Sequence, residues 1–592
     1  MQKEHLEADV VVTGGGLAGV CAGLAAARNG ASVVLIQDRP VLGGNTSSEI
    51  SVHAGGADFD GNRPHARESG IIEELRLEDA VHDPRCVPVM WDLTLYDAVR
   101  REPRITLLLN TSVTGVRMAA PGRIAQVEAI RPSTQHAFTI GGDMFLDCTG
   151  DGWLGYFAGA DYRMGREARQ EHGEPHALGP DNFTLGASLC FIARDVGEPR
   201  EFFPPPWAKR FLTCDALPHR HPDLCRTGFW WNELGGVFDM TRDTERVRDE
   251  LVATLLGLWD HIKNHCPQCR DLARTWELEW FGWVPGKRET RRLLGDHILT
   301  ELDLVEARPF EDAVAHGGWP IDLHPPWGIY DREPPALMLP LEDIYSIPLR
   351  ALYSRNIENL LFAGRCASAT HVAFGSTRLA ATGAAMGQAA GTAAAMAAFR
   401  GCTPREIADR HIRELQEILL RQDQYIPDLA AQDEGDMARK AQISASSEAE
   451  GCEAASVANG LTRHRRGRTN QWASGEGQPL PQWLELRWPQ PRAVGEIHLT
   501  FDTGFARPLT HSQYPSTLKK QVRGPQPETV KDFRIEAWLD GSWRAVARIT
   551  GNYQRKRVLK LGHLLATEAM RIVVEATQGD PQARIYEVRV YG

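Results

Sequence analysis

Val10, Val11 and Val12 form an unbroken apolar run of the kind found in a strand buried on both faces, and Ser32–Ile36 repeats it. The Ala-rich stretch between them predicts a helix. Residues 10–38, VVVTGGGLAGVCAGLAAARNGASVVLIQD, therefore read as strand, turn, helix, strand. Helix-period patterns follow near Ser69–Asp79 and Leu93–Arg100, with strand patterns at Thr106–Leu109 and Ile124–Ile130 and a strand running into turn residues at Phe145–Gly152. From about residue 160 to 345 the rhythm breaks. Pro204–Pro206 and Trp230, Trp231, Trp276, Trp280, Trp283, Trp319 and Trp327 crowd irregular sequence, the pattern of a substrate-facing region or of loop-packing aromatics. Leu360–Ala363 is again a short apolar strand; Gly364-Arg365 is a turn and Gly375–Phe399 a loop entering a small-residue helix. After a charged, helical connector from Pro404 to Lys440, Trp-containing alternating strands appear at Trp483–Trp488, Glu496–Phe501, Phe533–Leu539, Ala569–Glu575 and Ile585–Val590.

The expected architecture is an α/β, Rossmann-like doubly wound sheet with an inserted substrate domain and a C-terminal all-β sandwich. The boundaries follow the composition: 1–160 and 346–400 for the two parts of the sheet domain, 161–345 for the insertion, 401–440 for the connector and 441–592 for a separable sandwich.

Each glycine of Gly14-x-Gly16-x-x-Gly19 has its own steric task. Gly14 permits the tight turn, Gly16 lets the backbone approach a pyrophosphate, and Gly19 lets the helix pack on the strand, while Leu17 and Ala18 open a helix whose free N–H groups face the phosphates. At the end of the second strand an acidic residue ordinarily accepts the ribose hydroxyls; Gln37 holds that place and Asp38 follows it, so either is the ribose candidate.

With 592 residues, 42% apolar and 24% charged, the chain is of the globular class, and its net charge of −11 argues against a nucleic-acid or anionic-membrane partner. No basic and apolar leader precedes Val10, which makes cytoplasmic residence the expectation. Leu379–Phe399, Ala- and Gly-rich with Arg378, Thr382 and Gln388, suits a tightly packed helix rather than a lipid-facing one. Eleven scattered cysteines make no disulfide framework. Cys266-Pro-Gln-Cys269, beside His265, lacks a second ligand pair although Cys214, Cys225, His219 and His221 lie upstream, so it reads as two ordinary thiols and no metal site is expected.

Five separated motifs, GGGLAG at 14–19, QDRPVLGGNTSSEI at 37–50, LDCTGDG at 146–152, PGKRETRRLLGD at 285–296 and LLFAGRCASATHVAFGSTRLAATGAAMGQAAGTAA at 360–394, resemble those of the FAD-dependent oxidoreductases of the two-dinucleotide-binding-domain flavoprotein type. The C-terminal part resembles discoidin-like, galactose-binding-type sandwiches through its VANGLT segment and WLELRW strand. The resemblance implies FAD as the resident cofactor. It implies that Gly43, Gly44, Asn45, Thr46 and Ser47 lie against the pyrophosphate and flavin, that Arg39 neutralises the pyrophosphate or lies near the adenine, and that Val113 offers backbone to the adenine. Thr149, Gly150 and Asp151 would stand at the site's edge. Gly364, Gly375 and Ser376 would bring N–H groups to the flavin pyrimidine edge; Arg365 stands where many relatives of the wider class have Asp, which leaves its role open.

Flavin chemistry needs an acid or base near the reacting carbon. His371 after the last sheet strand and His53 after the Gly43-Gly44 turn are the candidates, each weighed against a structural role. Arg288, Arg291 and Arg292, read as strand residues, put Arg288 and Arg292 on one face, either to anchor a substrate or to pair with Glu289, Asp296 or Glu301. His316, Trp319, Asp322 and His324 form a second candidate cluster. The leading function is hydride transfer between flavin and a small polar substrate, with a carbohydrate or polyol as the favoured class. The alternatives are a reductase of an unsaturated carboxylate clamped by Arg288, and a glycan- or partner-binding protein whose flavin domain is vestigial.

Overall fold

The computed structural model describes residues 1–220 and 228–592; His221 and Cys225 lie outside the described residues. Two compact units emerge, one of Met1–Phe59, Val87–Ile412 and Thr510–Leu518, the other of Asp60–Cys86, Arg413–Leu509 and Lys519–Gly592. This grouping differs from the consecutive ranges expected, because side chains far apart in sequence complete each core.

In the first unit, β1 (Gln2–Thr13), β2 (Val33–Ile36) and β3 (Ile105–Leu108) pair in parallel, β1 pairs in parallel with β6 (His136–Asp147), and β7 (Leu360–Phe362) adds to the other side of β6, also in parallel. β4 (Ser112–Ala120) and β5 (Arg123–Arg131) continue from β6 as an antiparallel meander. The sheet is therefore mixed, and the apolar, buried runs Val10–Val12, Val33–Ile36 and Leu360–Phe362 mark the part of its parallel strands that is covered on both faces.

Helix α1 (Leu17–Arg28) follows β1, and α2 (Ile71–His82) and α3 (Pro88–Arg100) stand near their expected places. Further along, α4 (Thr244–Asp260) buries Leu251, Leu255, Leu258 and Trp259 against Phe191, Phe211 and Trp231. The small-residue segment forms two helices, α5 (His371–Thr377) and α6 (Ala380–Arg400), so Gly375 lies inside α5 and the long helix begins only at Ala380. Its composition has a steric cause. A Cβ added at Gly387 would sit 2.0 Å from the Ala18 carbonyl oxygen, and one at Gly391 2.2 Å from that of Ala22, so α6 and α1 touch backbone to backbone. The segment around Arg288 is likewise not one strand: Gly286–Lys287 and Arg292–Leu293 are separate two-residue strands, and the alternate-face argument does not apply between them. Among the described residues no helix is long and apolar enough to cross a membrane.

In the second unit a seven-stranded antiparallel sheet folds on itself about two long strands, Gln482–Phe501 and Lys556–Thr577. The expected strands 483–488 and 496–501 are the two halves of the first of these. Leu484, Leu486, Ile497, Leu499, Phe501, Phe533, Ile572, Val574, Val588 and Val590 fill the space between the leaves, from alternating positions. Residues 60–86, expected in the sheet domain, belong here. Arg67 forms a fully buried pair with Glu73 at 2.8 Å and donates to the Arg507 carbonyl oxygen at 2.6 Å, while Arg463 donates to the His65 and Arg67 carbonyls and to Ser69 Oγ. Burial alone would raise the Glu73 carboxyl; the Arg67 guanidinium holds it below the usual range.

Removing one member of a buried pair leaves the other uncompensated, so Glu73→Ala should destabilise the second unit by about 3–5 kcal/mol in denaturant unfolding. For the same reason a 441–592 fragment, which lacks the acceptors of Arg463, should melt without the cooperativity of the intact chain; an equally sharp transition would show that residues 60–86 are dispensable.

Candidate functional site

The turns after β1, β6 and β7 meet at one edge of the sheet, outside the carboxyl ends of the parallel strands, where open α/β sheets present their sites. Gly14, at φ +93°, can carry no Cβ, which would lie 2.3 Å from the Cys148 carbonyl oxygen; at Gly19 it would lie 1.8 Å from that of Gly14. Gly16 is different. A Cβ there would meet only the Gly44 Cα, at 3.9 Å, so no protein atom demands glycine at this position. Gly43 and Gly44 adopt positive φ and close onto it, Gly43 N–H donating to the Gly15 carbonyl oxygen at 2.8 Å.

Several sequence-predicted residues brace these turns. Gln37, buried, accepts from Gly15 N–H at 2.7 Å and donates to the Val41 carbonyl at 3.2 Å, whereas Asp38 is exposed. Thr46 and Ser47 donate to the carbonyls of Gly43 and Gly44, and Asn45 to that of Lys287. Arg39 pairs with Glu49 at 3.3 Å. Val113 lies in β4 opposite Ala129. Thr149 N–H and hydroxyl both donate to Asp147 Oδ1. Asp151 binds Lys287 at 2.6 Å and Arg365 at 3.4 Å; burial would raise its carboxyl, but these two cations hold it below the ordinary range. Arg365 crosses Gly150, where a Cβ would stand 2.3 Å from Arg365 Nη2, and donates to the Arg288 carbonyl oxygen. Gly364, at φ +70°, lies against Ala18 and Gly383. Ser376 is buried between Tyr345 and the Trp319 carbonyl oxygen, and Gly375 packs on Asp322.

The candidate catalytic residues separate. His371 opens α5, its Nδ1 2.8 Å from Glu289 Oε2 and its N–H donating to Glu167 Oε2 at 2.9 Å. Glu289 is fully buried, accepts Leu185 N–H at 2.9 Å and pairs with Arg292 at 2.9 Å; Arg292 also reaches Glu167 at 2.7 Å. His371 Nε2 has no hydrogen-bond partner among the described residues. His53 stands edge-on to Tyr514 at 6.0 Å, in the loop whose Gly55 carbonyl accepts Ala381 N–H from the first turn of α6. Beside that loop, Trp319 Nε1–H is buried with no acceptor among the described residues.

Arg288 pairs with Glu233 at 3.3 Å, not with Glu289, Asp296 or Glu301, while Arg291 lies over the Trp153 and Tyr156 rings. Glu233 also binds His324 at 2.6 Å, and Asp322 binds His324 at 3.2 Å and Arg378 at 2.7 Å. Burial acts to raise the Asp322 carboxyl, yet His324 and Arg378 hold it far below the ordinary range. Of the second candidate cluster, Asp322 and His324 thus meet, while His316 lies in the strand Ala313–Gly317 opposite Ser346. Glu167 and Glu233 were missed by the sequence analysis; Glu289 was named as a partner for the arginine segment, which Arg292 bears out, and Arg378 was noted only beside the small-residue helix. Glu289, inside the GKRETRR motif, and Arg378, inside the 360–394 motif, carried a local signal, whereas Glu167 and Glu233 did not. Tyr514 and His511 were missed as well; His511 stacks on Trp91 at 5.4 Å.

The family profile of the FAD dependent oxidoreductases matches residues 9–419, the stretch that carries every turn described above. The chain belongs to this family. The resemblance read from the motifs therefore stands. No curated protein matches the chain. Solved structures that match include the family 32 carbohydrate-binding module of C. perfringens NanJ in complex with galactose, 19% identical over 27% of this chain and 98% of that one, with a TM-score of 0.20. Another is the family 32 module of Streptococcus pneumoniae EndoD, 18% identical over 26% and 98% of the two chains, with a TM-score of 0.21.

The residues fit the family's cofactor, since of the three fingerprint glycines the one that the chain's own packing does not require, Gly16, is the one a pyrophosphate approaches. Gly16→Val should leave the melt and circular dichroism intact while lowering flavin content at least tenfold, whereas Gly19→Val should lose the fold. Full flavin in a folded Gly16→Val protein would remove the assignment.

Proposed function

We propose that this family member binds FAD non-covalently along the Gly14–Gly19, Gly43–Ser47 and Gly364–Arg365 turns and oxidises a neutral, polyhydroxylated substrate, a carbohydrate or polyol. When bound, FAD accepts the hydride of such an oxidation. The carrying observation is the His371–Glu289 dyad: the buried carboxylate fixes the imidazole through Nδ1 and leaves Nε2 to receive the hydroxyl proton. In the same reading Asp38 takes the ribose, because Gln37 is committed to Gly15, and the first turn of α6 faces the flavin pyrimidine edge. Cys366 is a poor attachment point, its thiol buried against Asp147 and pushed well above its ordinary range by burial.

Charge favours a neutral substrate over an unsaturated carboxylate. Arg288 and Arg378 are already matched in place by Glu233 and Asp322, so no uncompensated cation in this cluster waits for an acid. Trp230, packed edge-on against His324 at 5.4 Å, and the exposed Trp283 and Trp327 offer apolar faces to sugar C–H groups.

Screening sugars, polyols and small acids for anaerobic bleaching of the flavin identifies the substrate class. With that substrate, His371→Ala should slow flavin reduction by about a hundredfold or more in rapid mixing, the scale for a positioned acid–base group, without changing flavin content. Glu289→Gln should lower the rate less and shift its pH profile, and His53→Ala should leave it near wild type. Unchanged reduction in His371→Ala, or bleaching by acids alone, would overturn the reading.

A further inference from the structure

The end of α4 carries a feature outside the proposed flavin site. Residues His261–His265 form a π-turn closed by Cys266 N–H donating to the His261 carbonyl oxygen at 2.6 Å. Residues five apart on an α-helix point about 140° away from each other, given 3.6 residues per turn. The wider π-turn brings His261 and Cys266 to one side, a local irregularity that recurs at functional positions. Cys214, on the short helix Cys214–Ala216, completes a cluster whose ligand atoms, two Sγ and one imidazole nitrogen, all lie within 4.8 Å of one another.

The spacing of this cluster matches what a metal ion asks of its ligands. Cys214 Sγ is 3.6 Å from His261 Nε2. Tetrahedral zinc, with Zn–S near 2.3 Å and Zn–N near 2.0–2.1 Å, holds a sulfur and a nitrogen about 3.5 Å apart. His261 Nδ1 is 2.6 Å from the Phe211 carbonyl oxygen, to which it can only donate, so the Nε2 lone pair is directed at the cluster. That outer hydrogen bond is the arrangement that fixes the tautomer of a ligating histidine. His265 turns away to Asp260, at 3.2 Å.

We propose that Cys214, His261 and Cys266 bind one zinc ion as three of its ligands, and that the ion clasps the 211–216 segment to the end of α4. Two protons leave as the thiols become thiolate ligands, and no electron transfer is involved.

The test is zinc content of the full chain, prepared without reductant-sensitive steps, loaded with Zn²⁺ and dialysed. About one zinc per chain is expected, falling at least fivefold in Cys214→Ser and in His261→Gln and unchanged in Cys402→Ser, with circular dichroism confirming that each variant is folded. Cobalt(II) in place of zinc should give a thiolate-to-metal charge-transfer band that Cys214→Ser abolishes. Zinc undiminished in folded Cys214→Ser, less than a tenth of an equivalent in the parent chain, or a Cys214–Cys266 disulfide recovered by peptide mapping would overturn the proposal.

Discussion

The close approach of α1 and α6 is the constraint on which the first unit depends. β7 contributes only three residues to the sheet, too few to hold the return segment by ladder hydrogen bonds alone. The helix contact holds it, since Gly387 and Gly391 lie on the carbonyl oxygens of Ala18 and Ala22 and Gly383 would bring a Cβ to 3.1 Å from the Gly364 Cα. One row of glycines thus docks the helix, sets the Gly364–Arg365 turn, and aligns that turn with the Gly14–Gly19 loop some 350 residues earlier in the chain.

What could be read from sequence was what a single turn demands of its own backbone. Gly14, Gly16 and Gly19 declare themselves because the strand before and the helix after are local, and the Gly43-Gly44 turn likewise. Arg288 does not declare its partner: Glu233 lies in an irregular region with no period to place it, while the adjacent Glu289 is turned toward His371 instead. The small-residue helix read at Leu379–Phe399 stands at Ala380–Arg400, but the segment before it, read as loop, is the short helix His371–Thr377, whose two turns are too few to show a period. Strand patterns at 483–488 and 496–501 were legible, but polar residues at the bend hid their continuity.

Several buried charges are handled in the same way. Arg67 with Glu73, Arg292 with Glu289 and Glu167, Arg555 with Asp423, and Arg288 with Glu233 are each satisfied inside one unit, with remaining donors spent on backbone carbonyls. Such pairs add little net stability over apolar packing, yet each fixes a partner that no other residue can replace without leaving a charge stranded. Around His371 this leaves a histidine held between two carboxylates, Glu289 at its imidazole and Glu167 at its backbone N–H, that share the single guanidinium of Arg292.

The assignment of residues 60–86 to one unit and 510–518 to the other has a consequence for biosynthesis. Neither unit is complete until most of the chain has left the ribosome. At roughly 5–20 residues per second, α2 and the Arg67 loop wait on the order of tens of seconds for the strands that cover them. During that interval Ile72, Leu75 and Leu77, buried in the finished protein, face the solvent or a chaperone. The order of translation and the order of assembly in this chain are therefore different orders.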